Sequence, residues 1–354
     1  MQKFSLHFED DGDIIEFKGE CFGKNLNKNT LIESELVFTT GMTGLIESIT
    51  DPSFSNQILI FSYPPFGNYG VPNERYDSWD ISMDLESKIV QPIIVICDHQ
   101  INNYSHWNAK SSIDTFLEKN NVYGIKNVDT RMLIKTARNK KGKVYFRTKA
   151  ISLNLDTDYI SRGIDYFNQT SSLIPQFKNK KTDLSILFVD CGAKASQIRC
   201  LVKRGFHLTM VSSRWKNLPN YKDIIKNGYK GLFLSNGPFD PNIWVETLEW
   251  LSGILDAEKN VDNKIPVFGI CLGHQLLALV NGMKTEKLNP GNRGQNVPVS
   301  LLNSPLAYIT SQNHGYAVNQ ESIRENGEWE ELCVNLNDGS NEGIIHKTFP
   351  YFSV

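Results

Sequence analysis

Three features of the chain predict two α/β domains in tandem, the second built on a mostly parallel sheet. From Leu184 onward, short apolar runs alternate with stretches of helical spacing, the pattern of parallel strands with helices covering both sheet faces. Before residue 153, hairpin signals and short strands are mixed with isolated helices, which reads as a mixed α/β unit. Between the two lies a polar stretch with little periodicity, read as a connector. The expected division is therefore an N-terminal domain over 1–153, a linker over 154–183 and a second domain over 184–354, a length sufficient for two cores.

In order along the chain, Lys3 to Phe22 alternates apolar and polar residues around Asp11-Gly12, predicting an antiparallel hairpin. Glu35 to Phe38 begins a short strand, and Thr39 to Gly44 follows as a glycine-bearing turn. Gln57 to Ser62 is a strand closed by Tyr63-Pro64-Pro65, and the β-branched run Ile93 to Cys97 is another. Helical spacing over Ser112 to Asn120 places Ile113, Phe116 and Leu117 on one face. Asp129 is a plausible N-cap for a helix reaching Arg138, ended by Asn139-Lys140-Lys141-Gly142. In the second domain, strands are predicted over Ser185–Asp190, His207–Val211, Gly231–Leu234 and Ile265–Ile270, with helices over Ser196–Arg204 and Trp244–Leu255.

Composition excludes several function classes. Hydrophobic residues at 40% and charged residues at 21% are ordinary for a globular protein. A formal charge of −2 gives no electrostatic reason to expect nucleic acid or anionic membrane as a partner. The six cysteines are scattered without a C-x-x-C pair, so neither a disulfide framework nor a metal site is expected. The first residues are acidic where a transit peptide would be basic, and they lack the apolar core of a signal peptide. No run reaches the ~18–20 apolar residues of a membrane span. Together these predict a cytoplasmic protein. The Thr39–Gly44 turn could cradle phosphate, but it lacks the G-x-x-x-x-G-K-[ST] pattern.

Chemistry concentrates in Ile265 to Leu279, which reads as a buried strand, a sharp turn bearing Cys271, and an apolar helix start. Gly269 and Gly273 flank the cysteine as G-x-C-x-G, small residues where two backbones must approach closely. A thiol held there faces a helix N-terminus, whose free N–H groups and dipole favour the thiolate. The alternative is a buried, inert cysteine; two glycines at these spacings favour the nucleophile. Sites on such sheets lie beyond the strands' carboxyl ends. Cys271 and the Ser235-Asn236-Gly237 loop both follow strands there. The backbone N–H of Leu272, next after the nucleophile, is the expected first oxyanion donor.

The run Pro266 to Ala278 resembles the nucleophile elbow of class I, triad-type glutamine amidotransferases, most closely that of the small subunit of carbamoyl-phosphate synthase. Thr50 to Ser53, Tyr63-Pro64, Gly67-Asn68, Asp129 to Arg131, Gly192 to Lys194, Leu234 to Pro238 and Gln312 to Gly315 are similar to that family's segments in the same order. The resemblance implies an N-terminal small-subunit domain followed by a class I amidotransferase domain. It also implies that Gly237 gives the second oxyanion donor, and that Gly41, Gln275, Asn313, Gly315 and Tyr316 match positions that hold glutamine. The implied activity is glutamine hydrolysis through a cysteinyl thioester. Ammonia would pass to a synthetase large subunit or fused synthetase domain that uses ATP and bicarbonate, with no cofactor in this chain.

Four departures qualify that reading. The family's histidine and glutamate occur as H-P-E shortly after a segment like Phe352 to Val354, where this chain stops; the expectation is a chain that continues beyond Val354. Gly41 stands where the family places a serine, removing a hydroxyl contact to glutamine. Phe239 replaces the second glycine of the family's S-N-G-P-G-D-P loop, and Gly294-Gln295 replaces a glycine pair. A phenylalanine disfavours φ > 0, so a changed loop path is expected. Competing readings are a catalytically impaired scaffold that binds or regulates the synthetase, and another class I amidotransferase or a cysteine peptidase. The segments at 50–53 and 129–131 disfavour the last two.

Overall fold

The computed structural model describes residues 2–8, 12–24, 26, 31–138, 140, 144–147, 176–177, 183–213, 218–259, 261–262, 264–302 and 304–354. Asp11 of the hairpin turn and nearly all of the 154–183 connector lie outside them. The chain folds as two compact units: Met1–Gly163 with Asn289–Gln295, and Ile164–Leu288 with Asn296–Val354.

The first unit contains β1 (Gln2–Phe8), β2 (Ile14–Gly23), β3 (Leu31–Ser34), β4 (Leu36–Thr39), α1 (Leu45–Thr50), β5 (Ile58–Phe61), β6 (Val71–Pro72), β7 (Ile94–Ile96), β8 (Ala109–Ser111), α2 (Ile113–Lys119), β9 (Tyr123–Lys126), α3 (Thr130–Ala137) and β10 (Val144–Arg147). Its main sheet runs β3-β10-β1-β2-β9-β7-β5-β4. The hairpin β1–β2 is antiparallel, as the alternation predicts, while β4, β5, β7 and β9 are mutually parallel. The β5 run is apolar throughout because both faces are covered: Ile58 and Ile60 join a core with Leu133 of α3, whereas Leu59 and Phe61 join another with Ile49, Ile113 and Leu117. Both helix starts are capped as their sequences suggest. Ser112 Oγ accepts from Thr115 N at 3.2 Å and Asp129 Oδ1 from Met132 N at 2.8 Å.

The second unit contains β11 (Gln176–Phe177), β12 (Ser185–Asp190), α4 (Ala195–Lys203), β13 (His207–Ser212), α5 (Tyr221–Lys226), β14 (Gly231–Leu234), α6 (Val245–Glu258), β15 (Val267–Gly269), α7 (Leu272–Val280), β16 (Thr285–Leu301), β17 (Ala307–Val318), α8 (Gln320–Asn326), β18 (Trp329–Asn335), β19 (Asn341–His346) and β20 (Tyr351–Ser353). The middle of β16, Asn289–Gln295, groups with the first unit. The sheet order is β11-β13-β12-β14-β15-β20-β19-β18-β16-β17. Parallel pairing runs from β13 through β20, and antiparallel neighbours extend it at both ends, so the sheet is parallel at its centre and mixed overall.

Side-chain alternation separates its faces. Leu187, Val189, Leu232, Leu234, Val267 and Tyr351 point into the core with α5, α6 and α7. On the other face, Phe188, Phe233, Phe268 and Phe352 occupy one register across four adjacent strands, with ring centroids 4.7, 5.3 and 4.6 Å apart in turn. Residues 272–278 of α7 are all buried, which accounts for a helix apolar on every side.

Candidate active site

At the carboxyl end of β15 the chain turns so sharply that Cys271 takes φ 53° and ψ −104° before α7 begins at Leu272. Ile270 N donates to Leu234 O at 3.0 Å and Gly273 N to Ser235 O at 3.1 Å, locking the turn against β14. A Cβ on Gly269 would lie 2.5 Å from the Gly273 carbonyl, and one on Gly273 2.3 Å from Leu234 O. Both glycines are therefore required by the close backbone approach inferred from G-x-C-x-G. Cys271 N donates to Val354 O at 2.8 Å, joining the elbow to the end of β20. Its thiol is half-buried and lies 3.8 Å from Asn313 O.

The loop after β14 is buried and rigidly held. Ser235 Oγ accepts from Cys191 N at 2.9 Å and donates to Asn236 O at 2.8 Å. A Cβ on Gly237 would sit 2.3 Å from Cys191 O and 2.6 Å from Leu272 Cδ2. That contact places Gly237 against Leu272, the two residues expected to supply oxyanion donors. Leu272 N belongs to the first turn of α7, where N–H groups have no acceptor within the helix. The Phe239 expectation is corrected: its φ is 74°, so the phenylalanine adopts the left-handed conformation and the loop keeps a glycine-like path. Such backbone in a non-glycine residue costs on the order of 1–3 kcal/mol.

The residues expected to hold glutamine in this unit converge on the same place. Gln275 lies buried in α7 and its Nε2 donates to Tyr316 O at 2.8 Å. Asn313, Gly315 and Tyr316 share β17. Cys271, Leu272, Gly237, Gln275, Asn313 and Tyr316 are thus joined by direct contacts in one unit, with Gly315 between two of them.

Gly41 belongs to the other unit. Its backbone is not left-handed, unlike Gly44 at φ 67°, and a Cβ on it would meet Thr39 Oγ1 at 3.4 Å and the Gln295 amide at 3.5 Å. Gln295 Nε2 donates to Thr43 O at 2.9 Å and its Oε1 accepts from Thr43 Oγ1 at 3.0 Å. The residue replacing the family's glycine therefore braces the Thr39–Gly44 turn, a role its position in the sequence does not disclose.

Three histidines near the elbow have separate roles. His274 is buried, its Nδ1 lies 2.8 Å from Ser353 Oγ, and burial, with the charge of His314 second, pushes its pKa down to about 3. It is neutral and no base for a thiol. His346 Nδ1 accepts from Thr348 N at 3.1 Å and Phe349 N at 3.0 Å, which closes a turn. His314 Nε2 stands 3.2 Å from Glu342 Oε2, both side chains buried. Sequence reading missed Glu342 and Ser353, since only strand register brings them beside α7 and β17. Among the described residues no group of three or more His, Cys, Asp or Glu side chains is placed to hold a metal, and no helix is long and apolar enough to cross a membrane.

Residues 7–145 match the family model for the carbamoyl-phosphate synthase small chain, CPSase domain, and residues 187–354 match that for class-I glutamine amidotransferase. The chain is 40% identical over 352 residues to the carbamoyl phosphate synthase arginine-specific small chain of Debaryomyces hansenii, covering 97% of this chain and 78% of that one. This chain belongs to the carbamoyl-phosphate synthase small-chain family. The small chain of the same name from Saccharomyces cerevisiae is 38% identical, with 95% of this chain and 80% of that one covered. The multifunctional protein URA2 of the same organism is also 38% identical, across 97% of this chain but 16% of its own length. Small-chain sequence thus occurs both as a separate polypeptide and within a longer one.

Proposed function

We propose that this small chain is the glutaminase component of glutamine-hydrolysing carbamoyl-phosphate synthase. The observation that carries the proposal is the elbow. Cys271 is held in strained backbone at the N-terminus of α7, with Gly237 packed against Leu272 beside it. An amide is a poor electrophile, so its cleavage needs an activated nucleophile, stabilisation of the oxyanion and a proton for the amine. The Cys271 thiolate attacks the glutamine carboxamide carbon. The N–H groups of Leu272 and Gly237 receive the developing oxyanion, ammonia leaves, and water hydrolyses the glutamyl thioester. Gln275, Asn313, Gly315 and Tyr316 hold the amino acid.

Of the three histidines near the elbow, His274 is held neutral by burial, His346 closes a turn and His314 faces Glu342. Val354 O accepts from Cys271 N, so a continuation of the chain past Val354 would start beside the nucleophile. A histidine and glutamate in an H-P-E segment there would serve as base and orienting acid. Ammonia passes to a synthetase large subunit or fused synthetase domain, which uses ATP and bicarbonate; this chain itself takes no cofactor. Among the described residues none of the six cysteines forms a disulfide, which suits a reducing, cytoplasmic setting. The scaffold reading drew on the departures together, and the positive φ of Phe239 weakens one of them.

Acid-quenching the glutamine-treated full-length protein and weighing the peptide that contains Cys271 tests the chemistry. A glutamyl adduct on that peptide is expected. Glutamine turnover with no adduct on Cys271 under any quench time, or an adduct on another cysteine, would refute it.

A further inference from the structure

The loop after β14 holds one peptide plane by its carbonyl. Ser235 is fully buried, and a serine hydroxyl has a single hydrogen to donate. Its Oγ accepts from Cys191 N at 2.9 Å and directs that hydrogen to Asn236 O at 2.8 Å. The Asn236 carbonyl and the Gly237 N–H belong to one peptide unit, which is trans. In a planar trans peptide the two groups point in opposite directions, so a carbonyl held by Ser235 turns the Gly237 N–H away from it. In the sheet, β14 lies between β12, which leads into Cys191, and β15, which leads into Cys271. The side away from the Cys191 anchor is therefore the side of the elbow. The anchor is itself fixed: Asp190 Oδ1 accepts from Gly192 N at 2.9 Å and Ala193 N at 2.8 Å, closing the turn that bears Cys191. Gly237 is buried, yet among the described residues its N–H has no acceptor. A buried donor without an acceptor is costly, and an oxygen of a bound ligand would supply one.

We propose that Ser235 is a positioning residue for the oxyanion: its hydroxyl, anchored by Cys191, holds the Asn236–Gly237 peptide so that the Gly237 N–H meets the oxygen that becomes negative as Cys271 attacks. This rests on the reading of the site as a glutaminase. Ser235 acts through Gly237 and not on glutamine itself. The carboxamide oxygen gains its charge only on the way to the tetrahedral intermediate, so a misaimed donor weakens the transition state more than the ground state. Binding of the amino acid rests on Gln275, Asn313, Gly315 and Tyr316, none of which Ser235 touches through its hydroxyl. Loss of that hydroxyl frees the peptide to rotate, and the loss falls on kcat and not on KM.

The test uses the full-length protein and two variants, Ser235→Ala and Ser235→Cys. Steady-state hydrolysis of L-glutamine gives kcat and KM, and alkylation of Cys271 by iodoacetamide gives the reactivity of the thiol. In alkylation the thiolate displaces iodide from a saturated carbon and no oxyanion forms, so it reads the elbow without the donor. Ser235→Ala should lower kcat about 10- to 100-fold, short of the roughly 10²- to 10³-fold cost of deleting an oxyanion donor outright. Its KM and its alkylation rate should each stay within about twofold of the parent's. A thiol is a weak donor, so Ser235→Cys should lose at least about fivefold in kcat with KM held. Because the thiol fills the place of the hydroxyl, this variant decides should the alanine variant fail to fold. A parent-like kcat in either variant, a loss expressed in KM, or an alkylation rate that falls together with kcat would each overturn the proposal. If the parent hydrolyses glutamine and Ser235→Ala does so equally fast, the positioning role alone fails; a full-length parent that does not hydrolyse glutamine overturns the proposed function and this proposal with it.

Discussion

His274 shows how a residue's neighbourhood decides its chemistry. In the folded chain it stays neutral down to about pH 3, whereas its ordinary pKa is 6.5. As pH falls through that window the unfolded chain gains a proton that the folded chain does not, so stability is lost by up to about 1.4 kcal/mol per pH unit. His274→Asn keeps a polar atom near Ser353 and removes the titration. Its urea midpoint should fall less than the parent's between pH 7 and pH 5, and parallel falls in both proteins would contradict the assignment. Little of this was legible beforehand: the sequence places His274 in the elbow helix, but the partner Ser353 arrives from a distant strand. Cys271 was legible because its neighbours in sequence, Gly269 and Gly273, are also its constraints in space. Phe239 misled for a complementary reason. Its type argues against positive φ, while the Cys191, Leu272 and Gly237 contacts that fix the loop are non-local.

Among elements, α7 carries the elbow helix and β20 pairs with the strand that leads into it, and each invites a substitution. Gly273→Ala would drive a methyl to 2.3 Å from Leu234 O, a backbone atom that cannot step aside. Overpacking of this kind costs about 1–3 kcal/mol. For a unit of this size that lowers Tm by roughly 2–4 °C per kcal/mol. Calorimetry showing an unchanged Tm would mean that the elbow is looser than its geometry. At β20, the Tyr351 hydroxyl donates to the fully buried Glu258 carboxylate, which also accepts from Ile265 N at 3.0 Å. Tyr351→Phe removes one donor from a buried charge and should cost about 1.5–3 kcal/mol by denaturant titration. A loss below about 0.5 kcal/mol would show that the hydroxyl contributes nothing to holding Glu258. The central parallel strands were readable from their apolar runs. The strands β16, β17 and β18 of the antiparallel extension were not, since they mix polar and apolar residues and their partners are set by long-range register.

For the whole molecule, two units with separate cores fit a chain matched by two family models in series. The recurrence of one segment order over both domains made the family legible. The return of Asn289–Gln295 to the first unit was not, because nothing in a polar, glycine-bearing stretch specifies which core it joins. The central claim is a division of labour, in which this chain supplies ammonia and the synthetase consumes it. Cys271→Ser tests it most directly, because a hydroxyl with a far higher pKa cannot replace the thiolate. The measurement is carbamoyl phosphate formation by the full-length variant with its synthetase, first with glutamine and then with ammonium as nitrogen source. Glutamine-dependent synthesis should fall by about 10³-fold or more while ammonia-dependent synthesis stays at the parent's rate. Equal loss of both activities, or glutamine-dependent synthesis that survives the substitution, would contradict it.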